Sequence, residues 1–227
     1  MKINTIVIYG FAHCGTTILK EIVGNIPSVH KEPSGESLQP SEHLLASALK
    51  EDKRHVLIKH THYTARNRPE PFLPDLKGEH KTIFITRNPY YVFSSLNRRF
   101  PYGIPNDHSF ALYERVANKF LETKINKTKN LYHIKYEDMF TNDYENLKRI
   151  LDNLELKYSS NIFDKRAENQ YQSAPLPSGT HHQKFRDWQV SQPFLNMNSP
   201  SKLNLTFEQK RIISQSDIVT KLGYNYE

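Results

Sequence analysis

The sequence predicts an α/β fold, a three-layer sandwich with helices on both sides of a mainly parallel β-sheet. Three observations predict it. Short β-branched and aromatic runs recur along the chain, helical periodicity fills the gaps between them, and the first run leads through a glycine loop directly into a helix.

Thr5-Ile6-Val7-Ile8-Tyr9 reads as a buried strand, ending at Gly10. Thr16 to Gly24 reads as a helix, with Ile18, Leu19, Ile22 and Val23 on one side. Leu44 to Lys50 is a short helix and His55-Val56-Leu57-Ile58-Lys59 a second strand. Thr82-Ile83-Phe84-Ile85-Thr86 is a third strand, and Tyr91 to Asn97 is helical after Pro89. Phe110 to Thr123 carries Leu112, Val116, Phe120 and Leu121 on one face, and Leu131 to Tyr136 is the fourth strand. A helix from Asn142 to Leu154 opens with Asn142 and Glu145 at capping-box spacing. Thr206 and Gln209 repeat that spacing before a last helix that stops at Gly223. The stretch from Tyr158 to Ser201 is rich in Ser, Gln, Asn and Pro and reads as a functional loop region.

The 227 residues fit a single domain over 1–227. Aromatic content of 11% argues against disorder, and one cysteine excludes both an internal disulfide and a Cys-rich zinc site. That cysteine usage favours a reducing cytoplasm. No run approaches the length of a membrane span, and the apolar stretch at Ile6 to Tyr9 is too short for a signal-peptide core. The net charge of +7 suggests an anionic ligand, and no nucleic-acid-binding motif accompanies it.

Gly10-Phe11-Ala12-His13-Cys14-Gly15-Thr16-Thr17 sits between a strand and a helix, where two glycines let the backbone curl and present amides to a phosphate. The spacing is that of a Walker A loop, but Thr16 stands where the phosphate-clamping Lys is required.

The loop resembles that of the sulfotransferases that use 3′-phosphoadenylyl sulfate (PAPS), whose 5′-phosphosulfate loop reads basic-Ser-Gly-Thr-Thr. Here it is His13-Cys14-Gly15-Thr16-Thr17. Arg87-Asn88-Pro89-Tyr90-Tyr91-Val92-Phe93-Ser94-Ser95 resembles the family's second motif, with Arg87 and Ser95 at the positions that hold the donor's 3′-phosphate. Tyr136-Glu137-Asp138-Met139, Asp187-Trp188 and Leu222-Gly223-Tyr224 match later elements, so the resemblance covers nearly the whole chain.

The resemblance implies a P-loop-NTPase-like sulfotransferase fold and transfer of a sulfuryl group from PAPS to a hydroxyl or amine of a small-molecule or glycan acceptor, without a metal. It places Tyr136 at the position that packs on adenine. Lys184 or Arg186 is nearest to the family's late basic loop, along with His181 and His182. The loop cation, Lys or Arg in the family, is His13 here, with Lys20 and Lys59 as possible substitutes. For the base, Glu32 comes first, in a segment similar to one in carbohydrate and tyrosine sulfotransferases. His60 or His62 follows, since Lys59-His60-Thr61-His62 resembles the Lys-Thr-His run of small-molecule enzymes, although Thr61 occupies the His position. Glu36 is last. A P-loop kinase or NTPase and a sulfotransferase relative without catalysis remain open alternatives. The segments Glu32 to Glu42, Tyr63 to Pro74, Arg98 to Asp107 and Ala167 to Ser199 are expected to line the acceptor pocket.

Overall fold

The computed structural model describes residues 3–32, 39–62, 80–125, 129–164, 194 and 196–224. Among these, five strands form one sheet: β1 (Asn4–Phe11), β2 (Val29–Lys31), β3 (His55–His62), β4 (Lys81–Thr86) and β5 (Leu131–Lys135). Their order is β2-β3-β1-β4-β5, and every pairing is parallel. The helices are α1 (Thr16–Gly24), α2 (Glu42–Lys50), α3 (Pro89–Arg99), α4 (Phe110–Ile125), α5 (Tyr136–Met139), α6 (Glu145–Asn153), α7 (Phe207–Gln215) and α8 (Ile218–Lys221).

Alternation along the strands assigns the faces. Ile6, Ile8 and Leu57 join Leu19, Ile22 and Val23 of α1 in the main core cluster. Val7, Val56 and Ile58 point the other way and pack with Leu44 and Ala48 of α2. Tyr9 lies on the α2 face and meets Phe84, which stacks on Phe120 of α4 at 4.2 Å. Both faces of the central strand are thus buried, which is why its sequence is continuously apolar instead of alternating.

β1 is also where the chain changes direction across the sheet, with β3 and β2 on one side and β4 and β5 on the other. In open parallel sheets a crevice forms beyond the carboxyl ends of the strands at such a point. The loop after β1 lies in that crevice.

Four local expectations are corrected. β1 continues through Gly10 to Phe11. A Cβ on Gly10 would lie 2.6 Å from the Ile85 carbonyl oxygen, so this glycine serves close approach to β4 instead of curling the loop. β2 was not legible as a strand; it is three residues long. Asn142 does not cap α6: residues Asn142, Asp143 and Tyr144 all have positive φ, and the helix starts only at Glu145. The C-terminal helix is two helices, separated at Ser216, whose hydroxyl accepts from the Ile218 amide. The Thr206–Gln209 capping box does form.

Candidate active site

The curl of the loop comes from His13 (φ 64) and Gly15 (φ 96), both left-handed. Gly15 is the N-cap of α1 and supplies no side-chain cap, so the first-turn amides of that helix are presented to the crevice. A Cβ on Gly15 would fall 2.5 Å from the Tyr136 ring. Tyr136 therefore forms the floor of the loop, with its hydroxyl accepting from the Met197 amide and the Arg87 guanidinium 4.4 Å over its ring. The ring is 2% exposed. Cys14 is equally buried, and burial pushes its thiol up to about 12.

Arg87 follows β4 and Ser95 lies inside α3, which begins with Asn88 accepting from the Tyr90 amide. The helix runs unbroken from Pro89 to Arg99, so no irregular stretch is needed between the two residues. They converge on one loop residue, Arg87 at its backbone and Ser95 at its ring. Arg87 Nη1 donates to the His13 carbonyl at 2.9 Å, and His13 Nδ1 shares a 2.8 Å hydrogen bond with Ser95 Oγ.

The rest of Arg87 is held firmly. The Tyr113 hydroxyl donates to its carbonyl at 2.9 Å. Its Nε and Nη2 both donate to Asn198 Oδ1, at 2.9 and 2.6 Å, and the Asn198 amide donates in turn to Glu137 Oε1. Glu137 Oε1 also accepts from the Asn88 amide. Sequence reading missed Asn198: it lies 111 residues from Arg87 in a polar stretch with no periodicity.

His13 is pushed down to about 3, first by burial and then by Arg99, His108, Arg87 and Arg98. Burial among cations thus favours the neutral imidazole here, and a charge on it depends on an anion bound beside it.

A second group lies along the other side of α1. Lys59 Nζ donates to Thr17 Oγ1 at 3.4 Å, and Thr16 and Thr61 share a hydroxyl–hydroxyl bond of 3.1 Å. Lys20 is buried, donates to the Glu32 carbonyl, and is pushed down to about 8 by burial and then by Lys59. Glu32 directly follows β2; its amide donates to Leu57 O at 2.9 Å and its side chain is buried. Lys59 and Thr61 thus reach the start of α1, and the Glu32 backbone meets Lys20 further along that helix.

His60 points elsewhere. A one-residue step in a strand reverses the face, and the His60 ring stacks on Tyr9 at 5.5 Å, on the face covered by α2. For His62 the structure gives the backbone, with its Cα paired to Phe11. Glu36, His181, His182, Lys184, Arg186 and the Asp187-Trp188 pair lie outside the described residues. Among the described residues no group of three or more His, Cys, Asp or Glu gathers as a metal site, and no helix is long and apolar enough to cross a membrane.

Several solved structures share this architecture. Mouse sulfotransferase SULT7A1 complexed with PAP is 19% identical, with a TM-score of 0.55 over 98% of this chain and 85% of that one. The sulfotransferase domain of the Synechococcus PCC 7002 olefin synthase is 12% identical, with a TM-score of 0.57 over 100% of this chain and 97% of that one. Retinol dehydratase in complex with retinol and PAP is 13% identical, with a TM-score of 0.53 over 100% and 84%. At these identities the likeness is one of fold. No curated protein matches the sequence at a significant level. A family model does: the sulfotransferase domain matches residues 4–188, and by that match over most of its length the chain belongs to the sulfotransferase family.

Proposed function

We propose that the protein transfers a sulfuryl group from PAPS to a hydroxyl or amine of a small-molecule or glycan acceptor. The observation that carries this reading is the convergence of Arg87 and Ser95 on His13, beside the uncapped amides of α1. That arrangement suits a nucleotide bearing two phosphate-type groups, one for each of the two donor sets. A guanidinium and a hydroxyl fit a 3′-phosphate, and helix-start amides with Thr16 and Thr17 fit the 5′-phosphosulfate. PAP in two of the structurally similar proteins supports the same donor class.

PAPS, when bound, supplies a sulfuryl group already activated on a phosphate oxygen. This chain's residues then have three tasks. The α1 amides hold the 5′ end in line with the acceptor. A cation stabilises negative charge growing on the leaving phosphate oxygen. Burial favours the neutral form of His13, so we assign this task to Lys59, whose ammonium lies against Thr17. Glu32, whose amide donates to Leu57 O and whose carbonyl accepts from Lys20 Nζ, takes the acceptor's proton. The new bond joins the acceptor atom to sulfur, the bond from sulfur to the phosphate oxygen breaks, and adenosine 3′,5′-bisphosphate leaves.

Cys14, a single thiol buried in the loop, supports a reducing compartment and so a cytoplasmic setting. The test is thermal stabilisation followed by turnover. Adenosine 3′,5′-bisphosphate is expected to raise the melting temperature without Mg²⁺, and PAPS to be consumed in the presence of a suitable acceptor. Stabilisation by Mg-ATP alone would point to a kinase or NTPase instead. A relative that binds the donor without turning it over is favoured by one observation, a His13 held toward its neutral form where the family has Lys or Arg. Donor binding with no product across a broad acceptor panel would decide for it.

A further inference from the structure

We propose that Arg99, in the last turn of α3, is a specificity residue that selects nucleotides carrying a 3′-phosphate. The proposal rests on the reading of Arg87 and Ser95 as the 3′-phosphate pair.

Helix geometry places it. Ser95 and Arg99 are four apart on an unbroken helix, so their side chains lie one turn from each other on the same face. Ser95 is bonded to His13, so that face is the one turned to the loop. Phe100 fixes the surroundings: the Arg99 guanidinium lies 5.4 Å from its ring, and the ring of His108, in the connection to α4, lies 5.5 Å from it.

The electrostatics agree. After burial, Arg99 acts most strongly against protonation of His13, followed by His108, Arg87 and Arg98. Guanidinium groups from the end of β4 (Arg87) and from α3 (Arg98 and Arg99) lie near enough to His13 to repel one another. A dianionic phosphate there converts that repulsion into attraction. Arg98 is committed differently, donating to Ser94 Oγ and to the Lys202 carbonyl, where it ties the C-terminal segment to α3. Arg99 is the member of the pair that lies one turn from Ser95.

The test is a ratio of dissociation constants measured calorimetrically for adenosine 5′-phosphate and adenosine 3′,5′-bisphosphate. Arg99→Ala is expected to reduce that ratio about tenfold, the size of one charge-assisted contact, while leaving the affinity for adenosine 5′-phosphate unchanged. Arg99→Lys is expected to restore part of it. An Arg99→Ala ratio equal to wild type overturns the proposal, as does equal weakening of both nucleotides. Arg87→Ala separates the two readings. If it abolishes discrimination while Arg99→Ala preserves it, only the role of Arg99 fails. If the wild-type protein does not discriminate at all, the 3′-phosphate reading fails and Arg99 with it.

Discussion

His13 Nδ1 and Ser95 Oγ lie 2.8 Å apart, joining the loop after β1 to the middle of α3 across 82 residues of sequence. The bond makes the two halves of the candidate donor site one unit, because His13 also accepts from Arg87 through its carbonyl. His13→Ala and Ser95→Ala are each expected to weaken adenosine 3′,5′-bisphosphate binding several-fold. The double variant is expected to be little worse than either, since the second substitution removes a contact already lost. A double-mutant cycle on the dissociation constant measures this; fully additive losses would show two independent contacts.

Lys59 and His13 divide the charge in the site unequally. Burial favours the neutral form of His13, and the Lys59 ammonium sits on Thr17. Lys59→Ala is expected to lower kcat by about two orders of magnitude, as removal of a transition-state charge partner does. His13→Ala is expected to act mainly on donor affinity, and His13→Lys to retain activity. A kcat insensitive to Lys59→Ala would remove that residue from the leaving-group role.

Much of this was legible in the sequence, for identifiable reasons. β1, β3 and β4 each show a run of β-branched or aromatic residues, the signature of strands buried on both faces, and the half-buried edge strand β5 keeps a shorter run. β2 hid because three residues at a sheet edge, close behind Pro27, make no pattern. Arg87 and Ser95 stood out as a motif, but their meeting point on His13 is a tertiary contact that no spacing rule contains. The faces of β3 were legible by parity alone: Lys59 and Thr61 share the α1 side, which leaves His60 on the other.

Asn198 places an amide oxygen on the Arg87 fork, where a phosphate oxygen would also bind. A nucleotide 3′-phosphate competes for those donors. Asn198→Ala is therefore expected to tighten adenosine 3′,5′-bisphosphate binding a few-fold and to leave adenosine 5′-phosphate binding unchanged. Weaker binding of the bisphosphate alone would instead show that Asn198 holds Arg87 in its binding geometry.

Cys14 occupies the loop position where sulfotransferases usually have Ser, at a helix start that often activates thiols. Here burial dominates, with the thiol pushed up to about 12. The folded protein is expected to resist iodoacetamide at pH 8 and to react promptly after unfolding in urea. Rapid labelling of the folded protein, blocked by bound nucleotide, would place the thiol at the surface of the site.

His133 gives the fold a predictable acid sensitivity. Its Nε2 is 2.9 Å from Thr86 Oγ1, and Thr86 is bonded in turn to the Tyr224 hydroxyl, which anchors the C-terminal segment behind Arg87. Burial first, then Lys124 and Lys135, push His133 down to about 3. A folded-state pKa below the unfolded value of about 6.5 means that the unfolded chain binds the proton first as pH falls. The stabilisation is complete above pH 6.5 and is lost progressively toward pH 3, at up to about 1.4 kcal/mol per pH unit for each such histidine. His13, depressed in the same direction, adds to the slope. Urea unfolding at pH 7, 6 and 5 is expected to show stability falling with pH, and more shallowly in His133→Gln, which keeps a polar partner for Thr86. Equal slopes in the two proteins between pH 6.5 and 5 would show that His133 is not buried in its neutral form.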